Sequence, residues 1–541
     1  MQYDNGGELL VAHLESLGID TVFGIVSVHN LPLVEAVDRH LRFVPVRHEA
    51  TAVNAADGYG RARGSIGCAL TSTGTGAGNA AGSLIEALSA GTAVLHVTGQ
   101  VESQYLGSGR GFIHETKDQL GMLGAVSTYA ATVTSARDAG HVLREASAAA
   151  LATPGGPASV EWPIDLQYAA QADAGEAVPS GGAPSPHAAE LAAAQALLAE
   201  SRRPLIWAGG GARHARRELA ALLEATGAGL LSSNSGRGSV PEDHPLVIGN
   251  FATDPAVRAL LADADVLVTI GTHFRSNETA DYNLKLPGAH IQIDADAAAL
   301  GRVYPARHAL HAEAAAVLPA LTGAAVRADA DWSARVTAVR DEVRAALHDD
   351  IGPQAALCDA LAAALPRGAV VARDVTIPSS SWGNRLLPIH DPRANVFPRG
   401  GGIGQGLGMG IGAALARPDE PTVVIAGDGG LAVHLGELLT VAQERPRLTL
   451  IVFNDGGYGV LRNMQDKYGE RRSGVDLFTP DFGPLAAACA LPYARIAAPE
   501  EAAPVLEVAL ASDGPTLVEV DLTALGPMKN PFTPPVKIPA A

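Results

Sequence analysis

Two short segments near the C-terminal end put carboxylates where chemistry can occur, AGDGG (426–430) and FNDGGYG (453–459). Asp428 and Asp455 each close an apolar run, TVVIA and LTLIVF, that reads as a buried strand. If those strands are neighbours in a parallel sheet, both acids face the crevice beyond the strand ends, where α/β proteins hold ligands. A hard divalent cation such as Mg²⁺ takes oxygen ligands, often one or two carboxylates completed by phosphate oxygens. Gly427, Gly429, Gly430, Gly457 and Gly459, with Tyr458 among them, leave main-chain amides and a helix N-terminus open to such phosphates. Each motif alone is an ordinary turn, since Asp-Gly favours positive φ and GDG is frequent in loops. Together, at this interval, they point to a site.

The rest of the chain supplies elements able to position that site. The first third alternates strand-like runs (TVFGIV, RFVPV, CALTST, TAVLHVTG, ASVEWP) with helical stretches such as GGELLVAHLESLG and NAAGSLIEALSAG. Such alternation predicts a parallel, doubly wound sheet. A Pro/Gly/Ala/Ser-rich linker is expected over 171–190, then a second α/β block with RPLIWAGG, DVLVTIG and AHIQIDAD. An amphipathic helix over 331–347 leads to a third block, whose strands are AVVARDV, TVVIAGDGG, LTLIVFNDGG and TLVEVDL. The fold class is therefore α/β with three doubly wound parallel-sheet domains: 1–170, 191–330 and 350–541, the last with a Pro-rich tail. At 541 residues, three domains is the ordinary expectation. A net charge of −18 argues against nucleic acid or an anionic membrane as partner. Three scattered cysteines without CxxC spacing suit a reducing, cytoplasmic setting. The start, MQYDNGGELL, lacks the basic and apolar regions of a signal peptide. The glycine-rich stretch 400–416 reads as a buried loop and helix, not a membrane span.

A GDG motif followed by a strand ending in an Asn-containing turn is similar to the signature of thiamine diphosphate enzymes. The whole chain resembles their acetolactate synthase, benzoylformate decarboxylase and benzaldehyde lyase superfamily. The resemblance implies a pyrimidine-binding domain, a middle domain and a diphosphate-binding domain, in that order. It implies Mg²⁺ held by Asp428, Asp455 and the carbonyl of Gly457, with Asp455 standing where Asn is usual. RHEATAVNAADGYGRARG (47–64) resembles the segment around the catalytic glutamate, making Glu49 the acid that bonds the cofactor's pyrimidine ring. In GGIGQG, Ile403 matches the apolar residue that supports the bent cofactor. STGTGAGNAAG (72–82) resembles the glycine-rich turn near the pyrimidine, bringing Ser72 and Asn79 to it. The remaining cofactor neighbours implied are Gly427, Gly429, Gly430, Tyr458 and Gly459.

The substrate side follows from the same resemblance. His29 falls where benzaldehyde lyases carry a histidine, and Gln119 resembles a glutamine that approaches the cofactor in the lyase and acetolactate synthase branches. Benzoylformate decarboxylases have a catalytic histidine where this chain has Ser72. Pyruvate decarboxylases have a His-His pair where this chain has His114-Glu115. Both departures favour carboligation or C–C cleavage of 2-oxo acids and related carbonyl compounds over simple decarboxylation. A non-ligating decarboxylase is the alternative within the family; a flavin- or NAD-dependent oxidoreductase is the alternative outside it. WAGGGARHARREL and GTHFRSNETADYNLK occupy the middle-domain positions where acetolactate synthases bind FAD, but the flavin motif is poorly kept, so FAD is not expected. The partner expected is a second copy of the chain, in a homodimer of shared sites and a homotetramer built from it.

Overall fold

The computed structural model describes residues 1–173, 175, 184–469 and 471–534. Part of the expected linker and the end of the Pro-rich tail lie outside the described residues. Among the described residues, three six-stranded sheets, each wholly parallel, carry the fold. A small antiparallel pair, β1 (Gln2–Tyr3) with β8 (Gln171–Ala172), ties the chain start to the end of the first unit. β8 and the first residues of the next helix thus fall within the segment 171–190 expected as a linker. Gln171 is anchored through its Nε2 to the carbonyls of Leu166 and Ala169, and a helix begins at Ala188.

The first sheet contains β2 (Thr21–Gly24), β3 (Arg42–Pro45), β4 (Gly67–Thr71), β5 (Val94–Gln100), β6 (Tyr129–Thr132) and β7 (Pro157–Pro163), in the order β3-β2-β4-β5-β7-β6. The middle sheet contains β9 (Pro204–Ala208), β10 (Gly229–Ser232), β11 (Val247–Gly249), β12 (Val266–Ile270), β13 (His290–Asp294) and β14 (His308–His311), in the order β11-β10-β9-β12-β13-β14. The third contains β15 (Val370–Arg373), β16 (Asn395–Val396), β17 (Thr422–Gly427), β18 (Leu448–Asn454), β19 (Tyr493–Ile496) and β20 (Thr516–Asp521), in the order β16-β15-β17-β18-β20-β19. The strands expected from the sequence are present. Those not expected in the three large sheets (β6, β10, β11, β14, β16 and β19) have four residues or fewer, and all but β10 lie at a sheet edge.

First and third units dock helix to helix. The helix Glu49–Arg63 crosses the glycine-rich helix Gly406–Ala416 so closely that a Cβ on Gly412 would lie 1.8 Å from the Ala55 carbonyl oxygen. One on Gly58 would lie 2.0 Å from that of Met409. This contact explains the glycines of 400–416: they let two backbones meet. Arg61, buried and paired with Asp57 one turn earlier, donates to the Phe397 carbonyl at 2.7 Å and locks the crossing. The helix Ala330–Asp350 packs on the middle sheet through Trp332, Val336, Val339 and Val343, and Trp332 Nε1 donates to the Pro204 carbonyl at 3.0 Å. No helix among the described residues is long and apolar enough to cross a membrane.

Candidate active site

In the third unit, β17 and β18 are hydrogen-bonded neighbours, with Gly427 opposite Phe453. Asp428 opens a short helix directly after β17, and Asp455 follows β18. The two strand-end acids therefore share one crevice. The segment after β18 is not a hairpin: it turns through Gly456 and Gly457 into the helix Gly459–Tyr468. Gly457 donates its amide to Asp428 Oδ2 at 2.8 Å, tying the two turns together. At Gly457 a Cβ would lie 2.1 Å from the Val475 carbonyl oxygen, and at Gly459 it would lie 1.9 Å from Asp455 Oδ2. Both glycines are thus required by close approach.

Burial raises the pKa of Asp428, while burial together with the neighbouring Asp428 charge pushes Asp455 up to about 6. Arg462 offsets this only in part, its Nη1 standing 3.7 Å from Asp455 Oδ2. Asp455 Oδ1 is buried without a hydrogen-bond partner. Two crowded carboxylates, one with an unengaged oxygen, form a donor set that a hard cation would neutralise. Among the described residues no cluster of three or more His, Cys, Asp or Glu side chains could hold a metal, so a cation here would need main-chain and ligand oxygens as well.

A third acid completes this unit, and the sequence reading passed over it. Asp374, at the end of β15, receives the Gly404 amide on both carboxylate oxygens, at 3.1 and 2.9 Å, and so fixes the turn that presents Ile403, which is 39% exposed. The signal was available, since Asp374 also closes an apolar strand, but no flanking glycines marked it.

The first unit assembles a different group. Glu49 is the first residue of its helix, capped by His48, whose Nδ1 accepts from Ala50 N at 3.2 Å. Asn79 Nδ2 donates to Glu49 Oε2 at 3.0 Å, and a Cβ on Gly76 would meet Glu49 Oε1 at 3.1 Å and Ser72 Cβ at 2.8 Å. Glu49, Ser72 and Asn79 are thereby brought together. Gln119 is buried in the wall behind them: its Oε1 accepts from Thr73 Oγ1 at 2.9 Å and from Gly74 N at 2.7 Å. In this arrangement it holds the turn rather than facing the crevice. His29 lies buried in the loop after β2. No hydrogen bond or ion pair among the described residues joins the Glu49 group to the Asp428 group.

These two groups meet the comparisons with known proteins. Residues 4–122 match the model of the thiamine pyrophosphate enzyme N-terminal TPP-binding domain, 191–321 the central domain and 378–520 the C-terminal TPP-binding domain. The probable 2-ketoarginine decarboxylase of Pseudomonas aeruginosa is 33% identical over 95% of this chain and 93% of its own length. The chain belongs to the thiamine pyrophosphate enzyme family. The acetolactate synthase isozyme 2 large subunit of Escherichia coli is 29% identical over 96% of both chains. A probable acetolactate synthase large subunit of Methanocaldococcus jannaschii is 28% identical over 95% of this chain and 91% of its own length. The protein is accordingly a thiamine diphosphate-dependent enzyme that forms or cleaves C–C bonds, and its three α/β units are the domains of that family. Glu49 lies in the first matched domain; Asp428 and Asp455 lie in the last.

A separate cavity of about 680 Å³ lies where the middle sheet meets the first and third domains, lined by Arg213, Arg216, His273, Asp294 and Arg399 among others. It coincides with the GGGA turn singled out from the sequence, where Gly209 and Gly271 touch so closely that a Cβ on Gly209 would lie 2.1 Å from the Gly271 carbonyl oxygen.

Proposed function

We propose that this enzyme uses thiamine diphosphate with Mg²⁺ to ligate or cleave 2-oxo acids and related carbonyl compounds. The observation carrying this is the pair Asp428 and Asp455 across β17 and β18, with the Asp455 Oδ1 oxygen buried and unengaged. Asp428, Asp455 and the Gly457 carbonyl would hold the cation, and the amides of Gly429 and Gly430 would meet the diphosphate. When bound, the cofactor supplies a nucleophilic carbon for attack on the substrate carbonyl. Glu49 holds a proton at the pyrimidine ring, a role suited to an acid kept in place by Asn79. Ile403 supports the cofactor from below, and Asp374 sets its turn. On this reading the domains run 1–170, 191–330 and 350–541.

We further propose that each site is shared by two chains. Exposed apolar residues lie on segments next in sequence to site residues of both domains: Val26 and Val28 beside His29 in the first, and Val433 and Leu461 shortly after Asp428 and Asp455 in the third. Such patches favour burial against a partner. Mixing inactive Glu49→Ala and Asp428→Ala chains tests both proposals at once. Mixed two-fold dimers carry one intact site, so about a quarter of wild-type ligation activity should return on random pairing. Confirmed subunit exchange with no activity would rule the shared site out.

Non-ligating decarboxylation is the second reading, favoured by the likeness to the 2-ketoarginine decarboxylase. Following CO₂ and ligated products separately across a panel of 2-oxo acids discriminates the two. The oxidoreductase reading rests on the middle sheet, whose strand order is that of dinucleotide-binding folds. Absorbance of purified protein in the flavin band checks it.

A further inference from the structure

The helix Gly459–Tyr468, which leaves the Asp455 turn, has no acid in its first turn and places Arg462 close to its start. A cation at a helix N-terminus opposes the helix dipole, so the helix itself gives no reason for it. The reason lies in the turn that Arg462 reaches back to. Its Nη1 donates to the Asp455 carbonyl at 3.2 Å and its Nη2 to the Gly456 carbonyl at 3.3 Å. Its Nε donates to Asp476 Oδ1 at 2.8 Å. Asp476 sits on the segment that flanks the turn. Leu477 donates its amide to the Gly456 carbonyl at 2.9 Å, and Tyr458 donates its own to the Val475 carbonyl at 2.8 Å. One guanidinium thus ties the turn, the helix and the flanking segment together.

The polar groups of the turn are divided between this scaffold and the crevice. Gly456 N donates to Asn454 Oδ1 at 3.3 Å and Gly457 N to Asp428 Oδ2 at 2.8 Å. Arg462 takes the carbonyls of Asp455 and Gly456. Among the described residues, no hydrogen bond reaches the Gly457 carbonyl. That oxygen lies against the opposite turn, since a Cβ on Gly429 would stand 2.8 Å from it. It therefore shares the crevice with Asp428 and with Asp455 Oδ1, which is buried and unengaged. The charges are divided too. Asp466 is paired with Arg472, and Asp476 is exposed, so solvent screens it. Among the described residues, Arg462 is the only cation paired with either crevice carboxylate, its Nη1 3.7 Å from Asp455 Oδ2.

We infer that Arg462 is the positioning residue of the cation turn: it takes up two carbonyls, leaves the third in the crevice, and balances the charge of Asp455. The inference rests on the function proposed above and gives that site a residue beyond its ligands. Without Arg462, Asp428 and Asp455 would repel each other across the turn. Without the Asp455 charge, Arg462 would face an incoming divalent cation with only the screened Asp476 to offset it.

The test combines substitutions in the full-length chain. With thiamine diphosphate saturating, Mg²⁺ is titrated and followed by calorimetry. Asp455→Asn should raise the Kd for Mg²⁺ about tenfold or more, because an oxygen ligand remains but its charge does not. Adding Arg462→Met should bring the Kd back to within about threefold of wild type, since the unmatched cation is removed as well. A residue with a merely structural role would make the double variant bind more weakly still. A double variant that binds no tighter than Asp455→Asn would overturn the inference. Arg462→Lys checks the carbonyl clamp, keeping the charge but not the fork. Without metal or cofactor, hydrogen exchange of the Tyr458 and Leu477 amides should quicken about tenfold in this variant. Unchanged exchange at both amides would overturn the clamp, whatever the reaction catalysed. Failure of the proposed function would show differently, as wild-type protein whose melting temperature does not respond to thiamine diphosphate with Mg²⁺.

Discussion

The first and third domains have the same strand order and opposite electrostatic characters. In each, the first and third strands of the unit are neighbours at the point where the order reverses, and ligands gather at their carboxyl ends. The third domain ends its first, third and fourth strands in acids, Asp374 and Asp428 buried and Asp455 half-buried. In the first domain the matching places hold the His29 loop, the Ser72–Gly74 turn and Gln100, and the acid Glu49 comes instead from a helix N-terminus. On the function proposed above, one architecture builds a cation and phosphate site at one end of the chain and an acid with neutral donors at the other. The strand-end residues, not the sheet, decide which.

If that division is right, the largest effect comes from Asp428→Ala. It removes one of the two carboxylates proposed to hold the cation, and stabilisation by thiamine diphosphate with Mg²⁺ should vanish. At about a hundredfold excess over Kd, the wild type should gain about 2.7 kcal/mol by mass action. Differential scanning fluorimetry reads both; an equal shift in the variant would break the assignment. Glu49→Gln strikes the other half of the comparison. Shape is kept and the acid lost, so cofactor affinity should persist while turnover falls about 10²–10⁴-fold. Exchange of the cofactor's C2 proton, followed by NMR, should slow in parallel.

These residues were legible because acids and glycines after apolar strands are punctuation that sequence carries directly. Asp428 and Asp455 follow apolar strands as their runs suggested, while Glu49, assigned only by the resemblance of residues 47–64, opens a helix. Glu49's link to Asn79 and Ser72 was not legible from spacing, since the turn Ser72–Gly74 and a separate helix bring them together. The edge-on contact of His29 with His114, ring centroids 5.2 Å apart, was not legible for the same reason. Gln119 shows the reverse case. Its position was found, but its hydrogen bonds turn its amide into the wall. The edge strands β6, β14, β16 and β19 were missed because short, half-polar segments owe their conformation to the neighbouring strand.

The glycine crossing between the two domains offers a smaller, purely structural test. Gly412→Ala drives a methyl to 1.8 Å from the Ala55 carbonyl oxygen. The backbones must separate, at a cost of about 1–3 kcal/mol for overpacking of this kind. Urea denaturation should show the loss. Gly78→Ala, where nothing lies within 4 Å of the added Cβ, should leave stability nearly unchanged.

The smallest effect expected is one of pH, and it separates the two sheets. Strand β5 carries His96, fully buried between Thr71 Oγ1 at 2.8 Å and Ser159 Oγ at 3.1 Å. Its counterpart β18 has the apolar Leu450 at the third position. Burial lowers the His96 pKa from 6.5 to about 4. A histidine depressed in the folded state leaves the unfolded chain holding more protons between those values. Stability is therefore full above pH 6.5 and falls as pH drops toward 4, by about 1 kcal/mol at pH 5.5 from this one group. His13, against Ser147 in the same domain, is lowered to about 4 as well, mainly by burial, and acts in the same direction. In the third domain His434 is lowered too, but it lies outside the sheet, against His48. Hydrogen exchange of the backbone amides, corrected for the intrinsic rate at each pH, should show β4 and β5 losing protection between pH 7 and 5.5 before β17 and β18 do. Equal loss in both sheets would mean that the acid response comes from the domain contact and not from the histidine built into one of them.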